Sequence, residues 1–154
     1  RSYKIIGWAT VIFGVLLYFS DLIKIKKTID NDFKFKTALY IGFFQVLSLV
    51  PGVSRSGVTI TAGRFFNFSR IDSAKISFLI SIPVLAVISL YNIQTIFLEK
   101  NFGLSLLNFA SVILSFIFSY LTIKFFLKFL KKFSLLSFVI YRILLGVVII
   151  IYAS

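Results

Sequence analysis

Long apolar stretches recur along this chain, and their length settles the fold class before any motif is read. Residues 5–23, 76–98, 104–126 and 135–152 are each dominated by apolar side chains. A helix rising ~1.5 Å per residue needs about 20 such residues to cross the ~30 Å hydrocarbon core of a bilayer. Hydrophobic residues make up 59% of the 154 residues, against about 45–50% in soluble domains. A globule of this size could not hide four such runs in its interior. A cleaved leader does not explain them either, because they recur to the C-terminus. The expectation is an all-α integral membrane protein, a helical bundle forming one membrane domain over residues 1–154. No methionine occurs, and Arg1 stands close to an apolar run, so the chain reads as the C-terminal portion of a longer protein.

Charge supports this reading. The formal net charge is +12. In a soluble chain that excess would point to nucleic acid. Here the basic residues gather in short clusters between apolar runs, the pattern produced by the positive-inside rule and by anionic headgroups. The expected partner is therefore the bilayer, with no nucleic acid. Trp8 and Tyr18 lie near the two ends of the first run, where aromatic belts form. Cysteine and histidine are absent, which excludes disulfides, thiolate or imidazole metal sites, and histidine acid–base chemistry within the chain.

One apolar stretch is too short to span. Residues 37–49 would extend only ~20 Å as a helix. They run into Pro51-Gly52-Val53-Ser54-Arg55-Ser56-Gly57, and a second short apolar stretch, 58–68, follows. Two half-length helices around a Pro/Gly break predict a re-entrant helix-loop-helix hairpin over 37–68, a geometry tolerated only where protein or water surrounds the break. The charge pattern agrees. With the loop 24–36 in the cytoplasm, a hairpin returns the cluster at 64–75 to that side and places the Lys124–Lys132 cluster there too. Arg1, Lys4 and Lys100 are left outside, and Arg55 and Arg142 within the membrane.

The segment 45–59, QVLSLVPGVSRSGVT, carries the chemistry. A charge at the tip of the hairpin costs a few kcal/mol or more, so Arg55 is expected to face an interior cavity and an anionic partner. Ser54, Ser56 and Thr59 supply hydroxyls, and Gly52 and Gly57 permit close backbone approach. The amides of Ser56, Gly57 and Val58 open the second half-helix. A helix N-terminus beside an arginine makes a phosphate cradle. The blander alternative is a capped helix break whose arginine pairs with a carboxylate elsewhere.

PGVSRSG, with Gln45 upstream and Thr59 downstream, resembles the second signature of the undecaprenyl-diphosphate phosphatases of the bacitracin-resistance type. The resemblance continues through Ser69-Arg70, AKISFLISIP at 74–83 and FVIYR at 138–142. It implies removal of the terminal phosphate from a C55 polyprenyl diphosphate lipid, which recycles the carrier for cell-wall synthesis in the bacterial cytoplasmic membrane. It also implies two inverted repeats, each with a re-entrant hairpin, and an active site where the hairpins meet toward the outer face. Ser54, Arg55 and Thr59 match residues of that site, and Ser56, Gly57, Gly52 and Gln45 are the accompanying substrate-binding candidates. A divalent cation, Mg2+ or Ca2+, is implied as cofactor.

The family's first signature, with its paired glutamates, serine and histidine, has no counterpart here. Glu99 is the sole glutamate, and Gln45, which matches a glutamate by repeat symmetry, cannot serve as acid, base or strong metal ligand. No metal ligand is therefore expected in this chain, which alone is expected to be inactive and to supply half a site. A serine nucleophile would lack an adjacent base.

Elsewhere, Arg142 is read as pairing with a carboxylate or snorkelling, with a substrate role as the alternative. Arg64 and Arg70 are read as cytoplasmic surface anchors. Gly7 and Gly14 ease helix packing, and Pro83 is expected to kink its helix. A homodimer is compatible with all of this. The rival function is a transporter or flippase of polyprenyl phosphate, since inverted repeats and broken helices are also transporter design.

Overall fold

A computed structural model describes residues 3–98 and 106–153, and all its regular elements are helical. The expectations for Arg1 and for the loop around Glu99 and Lys100 lie outside the described residues. Helix α1 (Tyr3–Asp21) is followed by the short α2 (Ile29–Asp32), α3 (Phe35–Gln45), α4 (Arg55–Phe65), α5 (Arg70–Leu98), α6 (Leu106–Lys132) and α7 (Leu136–Tyr152). Three of these, within Tyr3–Asp21, Arg70–Gln94 and Asn108–Lys132, are long and apolar enough to cross a bilayer, and α7 is a shorter apolar helix. The chain is a membrane protein. Helix α5 starts six residues before the expected span and continues through Pro83.

The chain divides into two compact units, Arg1–Ile80 with Leu130–Ser154, and Ser81–Phe129. The second unit comprises helical stretches of α5 and α6 whose large apolar side chains, such as Val87 and Phe116, are exposed. That is the surface expected of helices whose solvent is hydrocarbon.

The first unit contains the motif. Helices α1 and α7 run antiparallel: Gly7 lies against Gly146 and Ile150, and Gly14 lies against Arg142 and Ile143. A Cβ on Gly146 would stand 2.6 Å from Val11 Cγ2 and 3.0 Å from the Gly7 carbonyl oxygen. The small residues therefore let the two backbones approach, which is how apolar helices gain packing where no hydrophobic drive separates protein from lipid.

Between α3 and α4 the chain turns back on itself. A 3-10 turn (Val46–Leu49) leads into Pro51-Gly52, where Gly52 has φ +93°. Ser54 caps α4, its Oγ accepting from the Gly57 amide at 3.2 Å. Helix α4 ends at Phe65 with Phe66 as its C-cap; Asn67 follows in the left-handed region at φ 70°, and the Phe68 amide bonds back to the Gly63 carbonyl. This is the 6→1 closure of a Schellman turn. The Asn67 carbonyl then accepts from the amides of Lys26 and Lys27. The segment from α3 to α4 thus returns to the end of α1 from which it departed, and α3 packs on α4 around Ile41, Ala62, Phe68 and Ile76.

Asp21 ties that end together. It accepts from Arg70 Nε at 2.6 Å, Arg70 Nη2 at 3.0 Å and the Leu135 amide at 3.3 Å. Arg64 stands 3.8 Å away and donates to the backbone carbonyls of Asp21, Ile23 and Phe68. Desolvation lowers the Arg64 pKa, Asp21 acts in the opposite sense, and Arg70 adds to the lowering. The surface-anchor reading of Arg64 is corrected: its side chain is 3% exposed. Two of its three acceptors, the Asp21 and Ile23 carbonyls, lie some forty residues away in sequence, where sequence reading does not find them. Arg70, at 36% exposed, keeps a surface face but is held by a carboxylate.

Candidate anion site at the broken helix

The turn at Gly52 is held by two other helices. Its carbonyl accepts from Thr10 Oγ1 of α1 at 3.2 Å and from Arg142 Nη2 of α7 at 3.2 Å. A Cβ at Gly52 would strike the Ile6 carbonyl oxygen, so the turn rests on the backbone of α1. These contacts fix its depth. Thr10 and Ile6 lie about 16–22 Å along α1 from Asp21, at ~1.5 Å per residue, nearer the start of α1 than its end.

Arg55 and Arg142 meet the first turn of α4 in different ways. Arg55 is its first residue and is half-buried. Among the described residues no hydrogen bond or ion pair engages its guanidinium. Arg142 is 8% exposed, and a Cβ on Gly57 would stand 2.7 Å from its Nη1. Gly57 is therefore the position that lets this arginine lie against the helix start. Arg142 Nε is buried and unpaired. The expectation of a carboxylate partner or a snorkelling side chain is corrected: Arg142 donates to the Gly52 carbonyl instead. Sequence reading weighted it low, because a lone arginine in an apolar run does not reveal which turn it faces.

The hydroxyls divide their work. Ser54 Oγ is committed to the Gly57 amide and lies 3.4 Å from Ser56 Oγ, and Ser56 is exposed. The Val58 amide bonds to the Ser54 carbonyl. The amides left for a ligand are thus those of Arg55 and Ser56, while Gly57 and Val58, expected to contribute theirs, are engaged. Thr59 is fully buried. Its Oγ1 lies 3.0 Å from the Arg55 carbonyl, 3.2 Å from the Ser56 carbonyl and 2.6 Å from Ser77 Oγ of α5. In this arrangement it braces the turn that carries Arg55. Ser77 was not singled out from the sequence, where nothing marks it among the serines of α5.

Gln45 ends α3, where the chain enters the break. It is buried, with Oε1 lacking a partner, and no hydrogen bond joins it to Ser54, Arg55 or Thr59. The groups gathered at the break are arginines, hydroxyls and an amide, a donor set suited to an anion. They do not fit a divalent cation, which takes carboxylate and carbonyl oxygens. Among the described residues no three carboxylate, histidine or cysteine side chains cluster.

The fold and the break together define a class: an all-helical membrane protein that presents an arginine at the first turn of a helix following a Pro-Gly break. The family follows from comparison with known proteins. Residues 1–148 match the model of the family described as "Bacitracin resistance protein BacA", and the chain belongs to that family. It is 51% identical over 151 residues to an undecaprenyl-diphosphatase of Pelagibacter ubique, covering 98% of this chain and 59% of the relative. It is 41% identical over 158 residues to undecaprenyl-diphosphatase 2 of Stutzerimonas stutzeri, covering 100% and 58%. An undecaprenyl-diphosphatase of Elusimicrobium minutum is 44% identical over 156 residues, covering 99% and 57%. The chain spans less than three-fifths of the length of these curated relatives.

Proposed function

We propose that this chain supplies the phosphate-binding half of an undecaprenyl-diphosphate phosphatase in the bacterial cytoplasmic membrane, with residues 37–68 entering the bilayer as a re-entrant hairpin. The observation that carries the reading is the Arg55 guanidinium, unpaired at the start of α4. The turn before it is held against α1 and α7 by the Gly52 carbonyl's bonds to Thr10 and Arg142, which supports a placement within the bilayer. Placing the basic Asp21 end in the cytoplasm sets the turn toward the outer half of the bilayer. The names of the relatives and the family membership support the substrate.

Each group then has a task. Arg55 binds the diphosphate and offsets charge as the phosphorus–oxygen anhydride bond breaks, since catalysis of this kind is largely positioning and electrostatics. The amides of Arg55 and Ser56 and the Ser56 hydroxyl donate to phosphate oxygens at the helix start. Arg142 holds the Gly52 turn and adds a second positive charge. Ser54 caps the helix and Thr59 braces it. A divalent cation finds no ligand set among these residues, and no step is assigned to one.

The test is phosphate release from undecaprenyl diphosphate by a full-length relative altered at the position matching Arg55. Arg55→Lys is expected to lose most turnover, on the order of 100-fold or more, because lysine keeps the charge but not the planar fork. Near-normal turnover at normal protein level would remove Arg55 from the mechanism. Lipid translocation without phosphate release would favour the transporter reading.

A further inference from the structure

A second concentration of unpaired donors lies at the opposite end of α4, around a cavity of about 370 Å³. Its lining combines Lys24, Arg64 and Arg70 with the apolar Ile23, Ile25, Ile71 and Leu130. Asp21 is the carboxylate among the lining residues, so the lining carries three positive charges against one negative. That carboxylate is already occupied by Arg70 and the Leu135 amide.

The donors exceed what the cavity's own acceptors can satisfy. A guanidinium has five N–H donors. Arg70 spends two on Asp21 and remains partly exposed. Arg64 Nε is buried without a hydrogen bond and stands 3.8 Å from Asp21 Oδ1. Lys24 is exposed, and among the described residues no hydrogen bond or ion pair engages its ammonium group. Ser69 accepts from the Asp72 amide as it caps the 29-residue α5, which leaves its own O–H free. The Arg70 and Ile71 amides, at the positive end of the α5 dipole, find no carbonyl within the helix. A ligand that answers this set is a compact anion with several acceptor oxygens. The apolar residues of the same lining suit an anion attached to a hydrocarbon-bearing molecule.

We propose that this cavity binds the phosphate of an anionic phospholipid headgroup. The location suits it: α1 ends here after 19 apolar-rich residues, at the level where headgroup phosphates lie. The site is separated from Arg55 by the length of α4, about 16 Å for 11 residues, and the proposal does not rest on the phosphatase reading. A lipid held by Arg64, Arg70 and Lys24 would add an acceptor to the junction of α1, α4 and α5 and stiffen it.

The test uses the chain itself in detergent, with bound lipid read by native mass spectrometry. Phosphatidylglycerol and phosphatidylcholine of matched acyl chains form two arms, and inorganic phosphate a third. Lys24→Glu is compared with Lys36→Glu, an equal change of charge at an exposed residue outside the cavity. Preferential binding of phosphatidylglycerol is expected, weakened about tenfold by Lys24→Glu, the loss of one charge-assisted contact. Lys36→Glu should change it by less than about twofold. Equal binding of the two lipids, or equal effects of the two substitutions, would overturn the proposal. Binding of inorganic phosphate that depends on Lys24 while phosphatidylglycerol does not bind would overturn the lipid assignment.

Discussion

Replacing Gly52 by alanine tests how the candidate anion site is held against α1 and α7. Alanine at φ +93° strains the backbone by about 1–2 kcal/mol. The new Cβ would also strike the Ile6 carbonyl oxygen and lie 3.0 Å from Ile6 Cα and 3.1 Å from Ile6 C. These are backbone atoms of a helix, so no side chain can swing aside and the turn must move away from α1. That movement stretches the bonds from Thr10 and Arg142 to the Gly52 carbonyl, both 3.2 Å. A neutral bond contributes ~0.5–1.5 kcal/mol and a charged one ~1.5–3 kcal/mol. Full separation should therefore destabilise the chain by about 3–6 kcal/mol. The assay is unfolding in mixed detergent micelles followed by fluorescence of Trp8, the sole tryptophan, which lies on α1 between Ile6 and Thr10. Gly42→Ala is the control, because a Cβ there meets nothing within 4 Å and helical alanine gains ~0.5–1 kcal/mol. If Gly52→Ala fell within about 0.5 kcal/mol of that control, the claim that α1 and α7 clamp the turn through this carbonyl would be refuted.

Two further predictions concern the braces around the site. Asp21→Asn keeps the shape but removes the carboxylate that pairs with Arg70 and lies 3.8 Å from Arg64. With Arg70 partly solvated and Arg64 also held by carbonyls, the loss should be about 1–3 kcal/mol, read in the same unfolding assay, and a loss below about 0.5 kcal/mol would place that junction among ordinary surface pairs. Thr59→Val removes the hydroxyl that links the Arg55 carbonyl to Ser77 and leaves buried polar atoms unmatched, at about 1–3 kcal/mol. Thr59→Ser keeps the hydroxyl and should retain more binding of polyprenyl diphosphate than Thr59→Val. The opposite order would mean that the methyl group, not the bond, holds the turn.

What the sequence made legible was local. The four apolar runs appear as helices displaced by a few residues at most of their ends, because a long apolar run in lipid can only be helical. The break at Pro51-Gly52 and the serine cap of α4 were legible for a similar reason: proline, a positive-φ glycine and a capping serine act within a few residues of themselves. Gly7 and Gly14 were recognised as packing positions, although Gly146, the counterpart of Gly7 on α7, was not. The amide donors were expected one residue too far along, since the Ser54 side chain and carbonyl claim Gly57 and Val58 and leave Arg55 and Ser56.

The three arginines that were harder to place share one physical trait. Arg64, Arg70 and Arg142 find acceptors 41 to 90 residues distant, and most of these acceptors are backbone carbonyls, which every residue carries. A carboxylate partner leaves a trace in composition, whereas a carbonyl partner leaves none. In a chain with 17 basic and 5 acidic residues, most buried cations must be satisfied in that second way. Arg142 shows the consequence for function. Its acceptor is the carbonyl of Gly52, and that carbonyl can face two helices because glycine allows the turn its positive φ. The arginine that completes the anion site is therefore specified by a glycine ninety residues away, through the shape of a turn rather than through a charge.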